Sequence, residues 1–235
     1  MIMAKIEKDR PLPSHTKLSY DECYAKIVLE KFFPDRYSEL QLRDKPDLQD
    51  LSHNVGVEVT SIIPKSEQEA ISIFIKLSYV DEKEKDKLIA HLEKIGYKYT
   101  GAGLTHPPRG FEWSGLEPPD IERTLCKEFT QAVKEKIKKL NKNYVPLSRY
   151  DLFVYSELFI DEWMPEKLLK RLSQYNCEKA KYPFIYLFSL NGIFSFDMST
   201  MSIQVCKRED IKQQLYGVGE LARQMVEEGE KDEKT

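Results

Sequence analysis

Apolar and polar residues alternate over the segment 55–60 of this chain, where valine occupies every second position and Gly56, Glu58 and Thr60 lie between. A period of two predicts a β-strand with Glu58 and Thr60 on the same face. With a turn near 50–54, the segment 40–63 forms a hairpin, and Asp47 enters from the neighbouring strand. We therefore expect the Asp47 and Glu58 carboxylates to converge.

Helix patterns are predicted before and after this hairpin. A capping box at Ser19 to Glu22 opens a helix over 19–33, which ends before Pro34. Capping signals at 66–69 and 81–84 open two more helices, and the second ends at Gly96. A long amphipathic helix begins at Pro119-Asp120, and its apolar stripe consists of Ile121, Leu125, Phe129, Val133, Ile137 and Leu140.

The second half of the chain mixes strands and helices. A strand is predicted over 150–155, followed by a helix that Pro165 opens. Asn191-Gly192 separates two aromatic-rich apolar runs, which is a strong hairpin signal. A further strand at 203–206 and a closing helix over 211–225 complete the pattern.

These elements predict an α/β fold. We expect a single elaborated domain over 19–226, preceded by an extension at 1–18. The segment 227–235 is highly charged and is predicted to be a disordered tail.

Pro46-Asp47, a spacer and a strand ending Gly56-Val57-Glu58-Val59-Thr60 resemble the core of the PD-(D/E)XK nuclease superfamily, the restriction-endonuclease-like fold. The resemblance covers roughly the first third of the chain. It implies a central mixed sheet flanked by helices, here with extra C-terminal strands and a helix. It also implies that Asp47, Glu58 and the Val59 backbone carbonyl bind Mg²⁺ or Mn²⁺, which prefer oxygen ligands.

In that family a lysine two residues past the strand acid helps to position and polarise the attacking water. Here Thr60 occupies that position. A hydroxyl group can orient water by hydrogen bonding, but it cannot supply the positive charge of a lysine. Because family members sometimes recruit the lysine from elsewhere, Lys76, Lys65 and Lys45 are the local candidates for the catalytic cation.

An acid on the helix before the hairpin also lies near the metal in many of these nucleases. Glu22 and Glu30 are the candidates, although Glu22 also suits a helix cap and Glu30 a solvated position.

Two basic regions are candidates for contact with nucleic acid. The segment 97–119 mixes glycine, proline, aromatic and basic residues, among them Lys98 and Arg109, and is predicted to be a long loop that could clamp a strand. The end of the long helix is rich in lysine, with Lys138 and Lys139 as candidate phosphate contacts. The alternatives are a loop that covers the core and a solvated helix face.

The composition is ordinary for a globular protein, with 41% hydrophobic and 32% charged residues. A net charge of -3 argues against coating nucleic acid through bulk electrostatics, but it allows a local basic groove. No apolar run is long enough for a membrane span, so we expect no membrane partner. The widely separated cysteines favour a cytoplasmic location, and the lack of a phosphate loop or dinucleotide fingerprint predicts no nucleotide cofactor.

The leading hypothesis is thus a Mg²⁺- or Mn²⁺-dependent nuclease with nucleic acid, DNA rather than RNA, as its partner. A homodimer would suit an enzyme that cuts both strands. The main alternative is a fold relative without catalysis that binds nucleic acid or protein, and Thr60 supports it. A purely structural or assembly protein is a third hypothesis.

Overall fold

The computed structural model describes residues 12, 18–62, 65–99, 104–105, 118–142, 144, 146–156, 159–176 and 181–231. The chain separates into two compact units. The smaller comprises Met1–Pro13 and Ile63–Ile121, and the larger comprises Ser14–Ile62 and Glu122–Thr235. The segment 63–121, within the range predicted as one domain, thus belongs to the smaller unit.

Helices and strands alternate along the described part of the chain. In chain order they are α1 (Tyr20–Phe32), β1 (Gln41–Leu42), β2 (Leu48–Asp50), β3 (Val55–Ser61), α2 (Lys65–Lys76), α3 (Glu82–Lys94), β4 (Lys98–Tyr99), β5 (Leu104–Thr105), α4 (Pro118–Leu140), β6 (Arg149–Tyr155), α5 (Met164–Tyr175), β7 (Phe184–Ser189), β8 (Gly192–Asp197), β9 (Ser202–Lys207), α6 (Arg208–Leu215) and α7 (Val218–Lys231).

Seven strands of the described residues form one mixed sheet in the larger unit, in the order β1-β2-β3-β6-β7-β8-β9. β6 is parallel to both β3 and β7, and the other neighbouring pairs are antiparallel. Parallel neighbours need a crossover connection, usually helical. α4 lies in the connection from β3 to β6, and α5 lies in the connection from β6 to β7. The predicted α/β class is confirmed.

Helices flank both faces of this sheet. On one face, Phe129 and Val133 of α4 and Leu168 of α5 pack in one buried cluster with Leu152 of β6. On the other face, α1, α6 and α7 pack against the alternate side chains of the same strands. Glu58 is aligned with Leu152 across the parallel pair, so it belongs to the α4 face.

In the smaller unit, the described residues include α2, α3 and a short antiparallel hairpin of β4 and β5. The Asp81 carboxylate accepts a hydrogen bond from the Glu84 N–H at the start of α3. Gly96, with φ 91°, follows its end. Both helix boundaries predicted there are confirmed, because a side-chain cap and a left-handed glycine are local signals.

The predicted hairpins and strands are confirmed, but two predicted segments differ. The closing helix is divided into α6 and α7 at Gly217, whose φ of 81° interrupts a helix. α7 continues to Lys231, into the range predicted to be disordered, and 232–235 lie outside the described residues. The predicted loop 97–119 contains β4, β5 and the start of α4, and its remaining residues, 100–103 and 106–117, are not described.

No helix in the described part of the chain has both the length and the apolar composition needed to cross a membrane.

Candidate functional site

Asp47 and Glu58 lie across from each other on the hairpin of β2 and β3. The register pairs Leu48 with Val57, and its continuation by one residue brings Asp47 opposite Glu58. Directly opposed residues of an antiparallel pair lie on the same face. The Val59 N–H donates to Oδ2 of Asp47 at 2.7 Å. The hairpin therefore brings the two predicted acids together and fixes Asp47 against β3.

Gly56 allows the chain before Asp47 to approach β3 closely. A Cβ on Gly56 would overlap Cγ of Pro46 and would lie 2.8 Å from Cδ1 of Leu147. A side chain at this position would displace Pro46, which directly precedes Asp47. The glycine is thus required by the close approach of another segment.

The cation beside these acids is Lys136 of α4. Its Nζ donates to Oε2 of Glu58 at 2.5 Å and to the carbonyl oxygen of Val59 at 2.8 Å. The same nitrogen lies 3.7 Å from Oδ2 of Asp47. The Lys136 and Glu58 side chains are only 14% and 3% exposed. This is a largely buried ion pair, so removal of one partner would leave the other charge buried and uncompensated.

Glu22 of α1 is a third acid, on which the charges of this cluster act. Burial, and next the Asp47 carboxylate, raise the pKa of Glu22 to about 7, although the Lys136 ammonium opposes this. Burial and the neighbouring Glu58 also raise the pKa of Asp47, while its hydrogen bond from Val59 and the Lys136 charge lower it. Glu22 therefore changes charge near neutral pH.

The two predicted candidates for the helix acid have different surroundings. The Ser19 side chain makes no capping hydrogen bond at the start of α1, so the predicted capping box lacks the bond from its serine. Glu30 accepts hydrogen bonds from Lys26 at 2.6 Å and from the Leu40 N–H at 2.8 Å. Glu30 thus ties α1 to the chain before β1, while Glu22 interacts with the Asp47 cluster.

Two tyrosines form hydrogen bonds with residues of the cluster. The Tyr144 hydroxyl donates to Glu58, and burial together with this hydrogen bond raises the pKa of Tyr144. The buried Tyr182 donates its hydroxyl to the backbone carbonyl of Lys136 at 3.1 Å. Burial and the charge of Glu58 raise the pKa of Tyr182. Both phenols are therefore protonated donors at neutral pH, and they hold Glu58 and α4 in place.

Thr60 occupies the position of the family's lysine, and three lysines are the predicted replacements for its charge. Thr60 is partly buried, two residues beyond Glu58 on the same face of β3. Lys76 is exposed at the end of α2 in the smaller unit, where Lys65 begins the same helix. Lys45 is exposed and pairs with Asp44 at 3.0 Å.

The sequence-based prediction did not include Lys136 as the cation. Lys136 follows Val133 by three residues and precedes Leu140 by four, and both of these are buried. Residues at such spacings share one face of a helix, so Lys136 lies on the buried stripe of α4. A lysine inside an apolar stripe indicates a buried partner, and this is the signal in the sequence.

The predicted nucleic-acid contacts are only partly described. Lys138 and Lys139 are exposed near the end of α4, and Lys98 is exposed on β4. Arg109 lies outside the described residues. α4 therefore directs Lys136 towards the carboxylates and directs Lys138 and Lys139 to solvent.

Among the described side chains, no group of three or more His, Cys, Asp or Glu is arranged to hold a metal ion. The oxygens that converge are two carboxylates, of Asp47 and Glu58, and the carbonyl of Val59, all near the Lys136 ammonium. Mg²⁺ is commonly held by one or two carboxylates and keeps several waters. This oxygen set suits a hard divalent cation rather than zinc, which favours cysteine and histidine.

No family model matches the chain, and neither a curated protein nor a solved structure matches it. Its function is therefore inferred from the cluster of Asp47, Glu58, Lys136 and Glu22.

Proposed function

We propose that the protein is a metal-dependent nuclease of the PD-(D/E)XK type with a restriction-endonuclease-like core, acting on DNA in preference to RNA. The order of elements supports this proposal. α1 precedes the hairpin of β2 and β3, and α4 then leads to the parallel strand β6. The acids that the resemblance implies, Asp47 and Glu58, share one face of that hairpin.

The observation that carries the proposal is the position of Lys136. The resemblance requires a positive charge next to the strand acid, and Thr60 cannot provide it. Lys136 provides it from α4, with Nζ 2.5 Å from Oε2 of Glu58. A lysine recruited from another element is a variation that the family resemblance allows.

The residues of the cluster would have complementary roles. Asp47, Glu58 and the Val59 carbonyl would hold Mg²⁺ or Mn²⁺. Such an ion, when bound, makes hydroxide available from water near neutral pH and stabilises charge on the phosphate. Lys136 adds positive charge where negative charge develops in the transition state. Glu22, with a pKa of about 7, can exchange a proton near neutral pH as a general acid or base.

A cleavage assay tests the proposal. Wild-type protein is incubated with fluorescently labelled single-stranded DNA, duplex DNA and RNA, in Mg²⁺, in Mn²⁺ and in EDTA. We expect cleavage that requires the metal and that Glu58→Gln reduces by about 100-fold or more, as for the loss of one main electrostatic contributor. Glu135→Gln is the matched control, because Glu135 is an exposed carboxylate on α4 next to Lys136.

Circular dichroism and unfolding curves of both variants separate a loss of activity from a loss of fold. Metal-independent cleavage, or equal activity in Glu58→Gln and wild type, would rule out this site as the catalytic centre.

One observation favours a second function, a nucleic-acid-binding or protein-interaction module without catalysis. Lys136 already compensates the buried charge of Glu58, so this carboxylate has a cationic partner without a metal. For such a module, nucleic-acid affinity should be the same in EDTA and in Mg²⁺. It should also tolerate Asp47→Asn.

A further inference from the structure

The ammonium of Lys136 lies among the oxygens that are proposed to bind the metal. Its three oxygen neighbours are Oε2 of Glu58 at 2.5 Å, the carbonyl of Val59 at 2.8 Å and Oδ2 of Asp47 at 3.7 Å. The proposed metal ligands come from the same three residues. Under the proposed function, one set of oxygens would therefore serve two different cations.

The two cations would compete for these oxygens. Hard divalent ions lie about 2.0–2.6 Å from their oxygen ligands. Because Nζ of Lys136 is already 2.5 and 2.8 Å from Glu58 and Val59, an ion bound to the same two oxygens would lie close to the ammonium. Like charges at such a separation repel strongly where water is largely excluded. Entry of the metal would thus favour the departure of Nζ from these oxygens.

We propose, building on the proposed function, that Lys136 is an internal counter-ion that exchanges with the divalent metal at Asp47, Glu58 and Val59. Without metal, the ammonium keeps two neighbouring carboxylates compatible with burial. With metal, the ammonium is released towards the substrate. Because of this exchange, binding of the metal also makes the lysine available to the substrate.

The released ammonium stays within the site because the backbone of Lys136 is fixed. Val133 and Ile137, on the same helix, are buried in the core. The Tyr182 hydroxyl donates to the backbone carbonyl of Lys136 at 3.1 Å. Only the flexible side chain moves. Glu22 is a further acid on which the Lys136 charge acts, and the phosphodiester of a substrate would be another anionic partner. Metal and substrate should therefore increase each other's affinity.

Competitive acylation of the wild-type protein tests the exchange. The full chain is treated with acetic anhydride in EDTA, in Mg²⁺ and in Mn²⁺, and each lysine is quantified by mass spectrometry. We expect Lys136 to react slowly in EDTA and severalfold faster with either metal. Lys26 is the matched control, because it pairs with Glu30 at 2.6 Å and is 22% exposed. Its reactivity should not change.

Mn²⁺ affinity provides the second measurement, from the electron paramagnetic resonance signal of the free ion. Lys136→Gln removes the competing charge and should bind Mn²⁺ about tenfold more tightly, equivalent to about 1.4 kcal/mol. Lys26→Gln should bind it as the wild type does. If Lys136→Gln unfolds in EDTA, its refolding on addition of Mn²⁺ supports the exchange, and the wild-type acylation decides independently.

The outcomes separate this inference from the proposed function. If Mn²⁺ binds and Glu58→Gln abolishes the binding, but neither Lys136 reactivity nor the affinity of Lys136→Gln changes, the exchange is refuted and the nuclease site survives. If neither wild type nor Lys136→Gln binds Mn²⁺, the metal site is refuted and the exchange with it.

Discussion

Replacement of Lys136 by methionine should destabilise the protein far more than the loss of a surface ion pair. Methionine keeps an unbranched, flexible side chain but leaves Glu58, whose side chain is only 3% exposed, without its cation. Removal of one partner from a buried ion pair costs about 3–5 kcal/mol. That is a large share of the roughly 5–15 kcal/mol by which a domain is usually stable.

The double variant Lys136→Met/Glu58→Gln makes this prediction sharper. It removes both charges, and an uncharged replacement of a buried ion pair is often nearly neutral. We therefore expect the double variant to be more stable than Lys136→Met alone, with a coupling free energy of about 2–3 kcal/mol. Lys26→Met is the control, because its partner Glu30 is 24% exposed. It should lose about 1 kcal/mol or less.

Urea unfolding in EDTA, followed by circular dichroism at neutral pH, measures these free energies. EDTA excludes rescue of Glu58 by a divalent ion. A loss below about 1 kcal/mol for Lys136→Met, the value of an exposed pair, would show that Glu58 does not depend on this lysine. If the free-energy losses of the two single variants add up to that of the double variant, the buried pair is also refuted, because only independent sites are additive.

Three further perturbations test other parts of the site. Since the pKa of Glu22 is raised from 4.5 to about 7, the native state binds more protons than the unfolded state between these values and loses stability as pH rises through them. Glu22→Gln should therefore stabilise the protein at pH 8 by about 1 kcal/mol, after allowance for solvent screening. Below pH 4 the substitution should leave the stability unchanged. Equal shifts in melting temperature at both pH values would contradict this. Gly56→Ala should lower the free energy of unfolding in urea by about 1–3 kcal/mol, because its Cβ overlaps Pro46. Adding Pro46→Ala to the same chain should recover part of this loss. If Gly56→Ala has no effect, the two segments separate without an energetic penalty. Replacement of both exposed lysines, Lys138 and Lys139, by Gln should weaken nucleic-acid binding at low salt. It should also reduce the slope of log K against log salt by about 0.7–0.9 per lysine. Unchanged fluorescence anisotropy curves would show that the binding surface lies elsewhere.

The local pattern of the sequence determined the hairpin and its acids. Alternation in 55–60 is sufficient to predict β3 and the face that carries Glu58, because successive side chains of a strand alternate by geometry. The convergence of Asp47 follows from the short turn between β2 and β3, which limits the possible registers. Capping residues such as Asp81 and Gly96 are equally local, since each acts within one helical turn.

Local patterns left the two possible roles of Glu22 unresolved. The sequence Ser19 to Glu22 satisfies a capping box, yet the Ser19 side chain makes no capping bond. Apart from the adjacent Asp21, the charges that act on Glu22 come from Asp47, Lys136 and Glu58, all distant in sequence. Only the packed structure distinguishes a cap from a member of a charge cluster.

The cation was decided by tertiary structure alone. Lys136 is 78 residues from Glu58 along the chain, and the two meet because α4 lies in the crossover between the parallel strands β3 and β6. The apolar stripe of α4 predicts that Lys136 is buried, but not which acid it contacts. Helix periodicity fixes the direction of a side chain relative to its own axis, whereas its partner depends on how that helix packs on the sheet.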